Sequence, residues 1–438
     1  MRYISTNSSC PPATLADAVN RCVAPDGGLY VPEQIPVIPR ALFNNISEMS
    51  LREIAFVVAS SFFGNDVPAP VLKKITDEAF AFDAPLRRLH DDIYVLELFH
   101  GPTLTFKDYG ARFMARLMKH LDGADRARGR NVLVATMGNT GAAAANGLFN
   151  LDGISVCVLY PKGVLNRSQT SQFTALGENI HPLEVAGTVE DCKLLVQRAL
   201  ADPSMSDFRL TGANSINLAR LLPQITFTMY AYSRLAAMEV HGAGQAEYSM
   251  PCGNLSNLVA AAMAARMGTP VGRLIAAVNS NNQVVSVFGG ASAAAGSKPV
   301  RTLAPSIDMV HPSGWPRLSH IYGGDIRAMK ADILAADPVS DERIAEVINS
   351  LRSEHGYTID PHGAVAYAAA VAQGSPGVPK VVFATGHPAK QLDIMTRITG
   401  SSIELPVQLT RFMSVRRHST IIPPTVPALR KHLLSINS

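Results

Sequence analysis

The sequence predicts an α/β protein built on parallel sheet layers, and three observations carry that prediction. Short runs rich in β-branched residues, at 132–136, 154–159, 274–278 and 381–384, are each bounded by Gly or Pro and followed by a helix-compatible segment. The apolar residues in these runs are largely uninterrupted, the pattern of strands buried on both faces. The 438-residue chain is also 47% hydrophobic and only 17% charged, which excludes intrinsic disorder and a charge-laced coiled coil.

The first 96 residues read as a helical region, with helices at 15–22, 51–63 and 71–80 separated by Pro25-Asp26-Gly27-Gly28 and by the proline-punctuated stretch 32–39. A strand at 93–98 then leads into His100-Gly101-Pro102-Thr103-Leu104-Thr105-Phe106-Lys107-Asp108 and an amphipathic helix with Phe113, Leu117 and Leu121 on one side. A lysine desolvated in such an apolar turn has the lowered pKa that suits an amine forming Schiff bases.

Three further strand ends deliver loops suited to anions. They are Thr136-Met137-Gly138-Asn139-Thr140-Gly141, Pro251-Cys252-Gly253-Asn254-Leu255-Ser256-Asn257 and Thr385-Gly386-His387-Pro388-Ala389-Lys390. Ligands of open α/β sheets sit beyond the carboxyl ends of strands, and a loop entering a helix turns backbone N–H groups and a positive dipole end toward them. Together with the embedded lysine, these loops describe a pocket for an anionic cofactor. Between them lies Asn214-Ser215-Ile216-Asn217-Leu218-Ala219-Arg220, with Gln224 beyond; as a helix it would align Asn217, Arg220 and Gln224 as donors to one anion. Residues 289–296 read as a flexible surface loop.

Other classes fall away. A net charge of +4 is too small to imply nucleic acid, and the late cations Arg411, Arg416, Arg417, Arg430 and Lys431 read as a solvated terminal helix. Five scattered cysteines without a C-x-x-C pair fit reduced thiols in a cytoplasm. There is no apolar run of membrane-spanning length and no signal-peptide core. No G-x-S-x-G elbow, Walker lysine loop or Rossmann glycine motif is present, and the histidines lack zinc-ligand spacing, so no metal is expected.

Taken together, the segments Asp26-Gly27-Gly28-Leu29-Tyr30, Glu97 through Asp108, Leu159-Tyr160-Pro161-Lys162-Gly163, 214–224, Asp360-Pro361-His362-Gly363-Ala364 and His387-Pro388-Ala389-Lys390 resemble the threonine synthase family nearly end to end. That family consists of pyridoxal 5'-phosphate (PLP) enzymes of fold type II, the tryptophan-synthase β-like fold. The resemblance implies two three-layer domains with parallel or mixed sheets beside the N-terminal region. One is a large PLP-binding domain from 97–125 and 212–438, the other a small domain at 126–211.

Residue by residue, the resemblance makes Lys107 the Schiff-base lysine and catalytic base. Gly253, Asn254, Leu255, Ser256 and Asn257 become the cofactor-phosphate loop, Thr385 the hydroxyl at the pyridine nitrogen, and Asn139 the neighbour of the cofactor 3′-oxygen. Thr103, Thr136, Gly138 and Thr140 are placed at the substrate, and Asn214, Ser215 and Arg220 at the phosphate of O-phospho-L-homoserine. The implied reaction yields L-threonine and phosphate in a cytoplasmic enzyme, monomer or homodimer, with a small-molecule substrate and neither nucleic-acid nor membrane partners.

This chain departs from the family pattern at Met137, Asn166, Cys252, Leu255 and Ser256, and at Asn281-Asn282. Ser256 in place of glycine is expected to narrow the backbone freedom of the phosphate loop. The departures keep open a divergent PLP-dependent phospho-lyase or β/γ-replacement enzyme on phosphohomoserine or an analogue, and a non-catalytic amino-acid-binding or scaffold relative.

Overall fold

A computed structural model describes residues 1–123, 129–289 and 298–436. Apart from Gly289, the expected loop 289–296 lies outside them. The chain divides into two compact units. One comprises Val31–Gly101 and Leu221–Glu404 with Met1; the other comprises Arg2–Tyr30, Pro102–Arg220 and Leu405–Ser438.

The first unit holds a six-stranded sheet in the order Ile333–Ala335, Arg273–Ala277, Glu247–Pro251, Lys380–Ala384, Ile93–Glu97 and Leu86–His90. Every neighbouring pair is parallel except the last, an antiparallel edge that shifts register between Arg88 and His90. Val95, Ile275 and Val382 have no exposure and pack with the helices Asp341–His355 and Pro361–Gln373. Seven of the ten buried residues of the second helix are Ala, Gly or Val, which lets it lie close to the sheet. Helix Leu51–Phe63 matches the sequence reading at both ends. Ser50 and Glu53 form a capping box, and Leu51, Ile54, Ala55, Val58, Ala59, Phe62 and Phe63 make one buried stripe.

The second unit holds a five-stranded, all-parallel sheet in the order Thr420–Ile422, Ile180–Val185, Ile154–Pro161, Arg130–Ala135 and Leu210–Gly212. Helix Lys107–Leu121 packs on helix Asn139–Leu148 at backbone distance, because a Cβ on Gly147 would come within 3.0 Å of the Ala111 carbonyl carbon. Cys157 and Cys192 are buried in this unit, and burial pushes both thiols up to about 12, so they behave as apolar filling.

The units cut the chain differently from the expected domain boundaries. Residues 102–121 sit with the small sheet because the Lys107 helix packs on the Asn139 helix, and residues 405–438 join them because Thr420–Ile422 pairs with Ile180–Val185. The N-terminal region is likewise not purely helical. It carries short strands at Tyr3–Ser5 and Tyr30–Pro32 and divides between the units at Tyr30. Ile180–Val185 escaped the sequence reading because Pro182 interrupts it. That proline is tolerated because Thr420–Ile422 pairs only with residues 183–185 and leaves the Pro182 flank unpaired. Arg416 and Arg417 are not on a terminal helix either: they fall between helix Val407–Met413 and strand Thr420–Ile422, whereas Arg430 and Lys431 do lie on helix Val426–Ile436.

Candidate active site

The expected site residues fall on both units. In the second, Lys107 is the first residue of helix Lys107–Leu121. No side chain caps that helix; instead the turn closes through Asp108, whose carboxylate accepts from the Thr103 backbone N–H at 2.8 Å and from the Thr103 hydroxyl at 2.5 Å. Both residues are buried, so the pair works where hydrogen bonds to a charged group count most. Within the loop, Leu104 takes a left-handed φ of 61°, a conformation a leucine adopts only when its surroundings impose it. The Lys107 ammonium lies 4.5 Å from the centre of the Phe106 ring, and the Thr105 hydroxyl is buried without a hydrogen-bond partner among the described residues.

The Thr136 loop has a different internal logic from the one expected. The Thr136 hydroxyl accepts from the N–H groups of Gly138, at 2.9 Å, and Gly141, at 2.8 Å, so it shapes the turn from within. Gly138 has φ 111°, and a Cβ on Gly141 would strike the Thr136 methyl at 2.6 Å; both positions need glycine. Asn139 and Thr140 then open helix Asn139–Leu148 and are both partly exposed.

The 214–224 stretch is not the helix expected. Only Leu218–Leu221 is α-helical, followed by a 3₁₀ turn at Leu222–Gln224, because Asn217 turns inward. Its amide donates to the Val19 and Gly212 carbonyls and its oxygen accepts from Ala219 N–H, so it braces the fold instead of facing an anion. Asn214 donates to the Ala135 carbonyl at 3.0 Å, and Ser215 is partly buried. Arg220 is buried and donates to the Ala213 carbonyl. Burial pulls its guanidinium down to about 10, while the charge of Asp108 pulls it back up, so it remains a cation at neutral pH. Gly110 permits this proximity, since a Cβ there would come within 2.7 Å of the Arg220 carbonyl oxygen.

In the first unit, strand Glu247–Pro251 delivers the 253–257 loop to helix Ser256–Arg266. The loop is wedged: a Cβ on Gly253 would meet Ile307 Cα at 2.8 Å, and the Asn254 carbonyl accepts from Gly314 N–H at 2.9 Å. The left-handed residue is Leu255, φ 66°, while Ser256 has ordinary helical backbone, so the expected narrowing at Ser256 does not arise. Burial raises the Cys252 thiol to about 12, and it donates to the Met250 carbonyl at 3.3 Å.

A PLP phosphate fits this loop on one observation: the N-cap residue Leu255 offers no side-chain hydrogen bond to the helix start, where the Asn254 side chain accepts from the Ser256 N–H at 3.1 Å. Thr385 follows strand Lys380–Ala384 and is nearly buried. Next to it, Gly386 faces the Asp360 carboxylate, 3.4 Å from where its Cβ would stand. Asp360 accepts from His362 Nδ1 at 2.6 Å, and His362 Nε2 accepts from the Ser306 N–H at 3.0 Å. This Asp360–His362–Ser306 chain went unread in the sequence, as did the role of Asp108; each acid sits beside a residue already singled out, but only the fold shows what it holds.

Comparison with known proteins agrees with this chemistry. A family described as pyridoxal-phosphate dependent enzyme matches residues 80–386, and one described as threonine synthase N terminus matches residues 2–80. Threonine synthase of Serratia marcescens is 34% identical over 97% of this chain and 96% of its own, and that of Escherichia coli 33% over 96% of each. The crystal structure of threonine synthase from Escherichia coli superposes with a TM-score of 0.90 at 32% identity, covering 100% of both chains. The PLP-bound threonine synthase from Brucella melitensis gives 0.89 at 29%, covering 99% of this chain and 98% of that one. These near full-length likenesses establish that the chain belongs to the threonine synthase family of fold type II, PLP-dependent enzymes.

Proposed function

We propose that the protein converts O-phospho-L-homoserine and water into L-threonine and phosphate. The observation that carries this reading is the buried Asp108, whose carboxylate braces the Lys107 turn and whose charge acts on the buried Arg220. One acid thereby organises both the reacting amine and a cation suited to a departing phosphate. PLP, when bound, supplies the electron sink that lets protons leave Cα and Cβ of an amino acid.

The chain's residues then divide the work. Lys107 would hold the cofactor, and its free amine would act as the general base toward protons at Cα and Cβ. Gly253, Asn254, Leu255, Ser256 and Asn257 hold the cofactor phosphate, and Thr385 offers a neutral hydroxyl to its ring nitrogen. Asn139 would face the cofactor 3′-oxygen. Gly138 and Thr140 orient the substrate carboxylate, with Thr136 setting the loop they share; Thr103, expected at the substrate, instead gives both its N–H and its hydroxyl to Asp108. Asn214, Ser215 and Arg220 bind the γ-phosphate and stabilise it as it leaves. Five cysteines free of disulfides, four of them buried, support a reducing compartment such as the cytoplasm.

The test is incubation of the holoenzyme with O-phospho-L-homoserine, followed by chromatography of the products. Threonine and phosphate in equal amounts are expected. Phosphate accompanied by 2-oxobutanoate and ammonia would overturn the reading in favour of a phospho-lyase.

A further inference from the structure

The late arginines that the proposed chemistry leaves unused define a second feature, confined to the second unit. Between strand Ile180–Val185, the segment before Thr420–Ile422 and helix Val426–Ile436 lies a surface hollow of about 380 Å³. Arg416, Arg417, His418, His181 and His432 line it, and no carboxylate does. Its floor includes the buried Ile180 and Pro182.

The backbone that presents these cations is held in place. The Arg167 guanidinium binds the Met413 carbonyl, His418 N–H donates to the Thr174 carbonyl at 2.8 Å, and the Ser419 side chain bonds Tyr160. Yet neither Arg416 nor Arg417 has an ion-pair partner among the described residues, and Nε2 of His432 is buried without a hydrogen-bond partner. Five nitrogen-bearing side chains thus converge on one hollow, with an unsatisfied imidazole in its wall.

We propose that this hollow is a binding site for a phosphate-class oxyanion, either inorganic phosphate or a phosphate monoester. Guanidinium pairs match the tetrahedral oxyanion with charge-assisted hydrogen bonds, and the imidazoles add donors when protonated. The His181 and His432 rings stand edge to face, 5.9 Å apart. Burial lowers the pKa of each, and the neighbouring His432 lowers His181 further, so both are mainly neutral above their ordinary range. Arg416, Arg417 and His418 line the hollow with the pair, Glu184 and Arg417 act on Tyr160, which the Ser419 side chain bonds, and Arg430 and Lys431 precede His432 along the helix. An anion held here favours the imidazolium forms, so its binding raises both histidine pKa values and takes up protons.

The experiment follows the imidazole C–H signals of His181 and His432 in the holoenzyme by NMR, assigned through H181Q and H432Q. Inorganic phosphate, glycerol phosphate and sodium chloride of matched ionic strength are titrated at several pH values. Saturable shifts with phosphate but not chloride are expected, with higher pKa values for both histidines and binding about tenfold weaker in R416Q/R417Q, the scale of lost charge-assisted contacts. Tighter binding of glycerol phosphate assigns the site to esters, and equal or weaker binding to the free ion. Shifts matched by chloride mean an adventitious ion only. That result, the absence of any shift, or an unchanged response in a folded R416Q/R417Q protein overturns the proposal.

Discussion

Asp108 accepts two hydrogen bonds from Thr103, one from its backbone N–H at 2.8 Å and one from its hydroxyl at 2.5 Å, and so closes the turn from which Lys107 projects. Asn at 108 keeps the shape but offers one acceptor oxygen and turns an NH₂ toward a donor. We expect D108N to lose about 2–3 kcal/mol of stability, the cost of disrupting buried hydrogen bonds to a charge. Turnover should fall with it, checked by thermal unfolding and product assay on the same preparation.

Lys107 is partly exposed, and the contact described for its ammonium is the Phe106 ring at 4.5 Å, so K107A should keep the fold. Turnover is expected to fall by about 10³-fold or more through loss of the base and the covalent anchor. Near-normal product formation in that variant would remove Lys107 from its role.

Arg220 remains a cation at neutral pH despite its burial, because its lowered pKa of about 10 is still well above 7. R220K keeps the charge but not the two-pronged geometry, and we expect about a 10²-fold loss in kcat with O-phospho-L-homoserine. Binding of an unphosphorylated homoserine analogue should change little. An equal loss with both ligands would show that Arg220 acts on the fold and not on the phosphate.

Two variants separate the glycine and serine of the phosphate loop. G253A forces a Cβ to within 2.8 Å of Ile307 Cα, and we expect about 1–3 kcal/mol of destabilisation with weaker PLP binding. S256G should give no gain in PLP affinity, because the left-handed residue is Leu255. Fluorescence titration of the apoenzyme with PLP reads both.

The pH dependence of stability should carry the signature of Glu97. Burial raises its pKa, but hydrogen bonds from His100 Nε2 at 2.8 Å and Arg87 Nε at 2.9 Å outweigh that and hold the folded value below the ordinary 4.5. The unfolded chain therefore binds the extra proton first. The stabilisation is complete above pH 4.5 and drains away as pH falls through the lower folded value. In E97Q the stability gap to the parent should shrink as pH is lowered below 4.5, read from denaturant midpoints.

Sequence periodicity sufficed wherever an element's pattern is local. Leu51–Phe63 was legible at both ends because its capping box and its apolar stripe lie within one helix, and the central strands because burial on both faces writes an uninterrupted apolar run. The loops after the strands were legible as loops because glycine, asparagine and threonine at strand ends follow from local backbone geometry. Whether the segment around Asn217 is helical could not be read locally, since its inward turn depends on carbonyls at Val19 and Gly212 that no local pattern reveals. Tertiary structure alone decided which acid braces the lysine, that Leu255 and not Ser256 bears the strained backbone, and that residues 405–438 complete the sheet built from 130–212. The physical reason is common to all three. Propensity and periodicity report a residue's own backbone preferences, whereas hydrogen-bond partners and close packing are set by chain segments far apart in sequence.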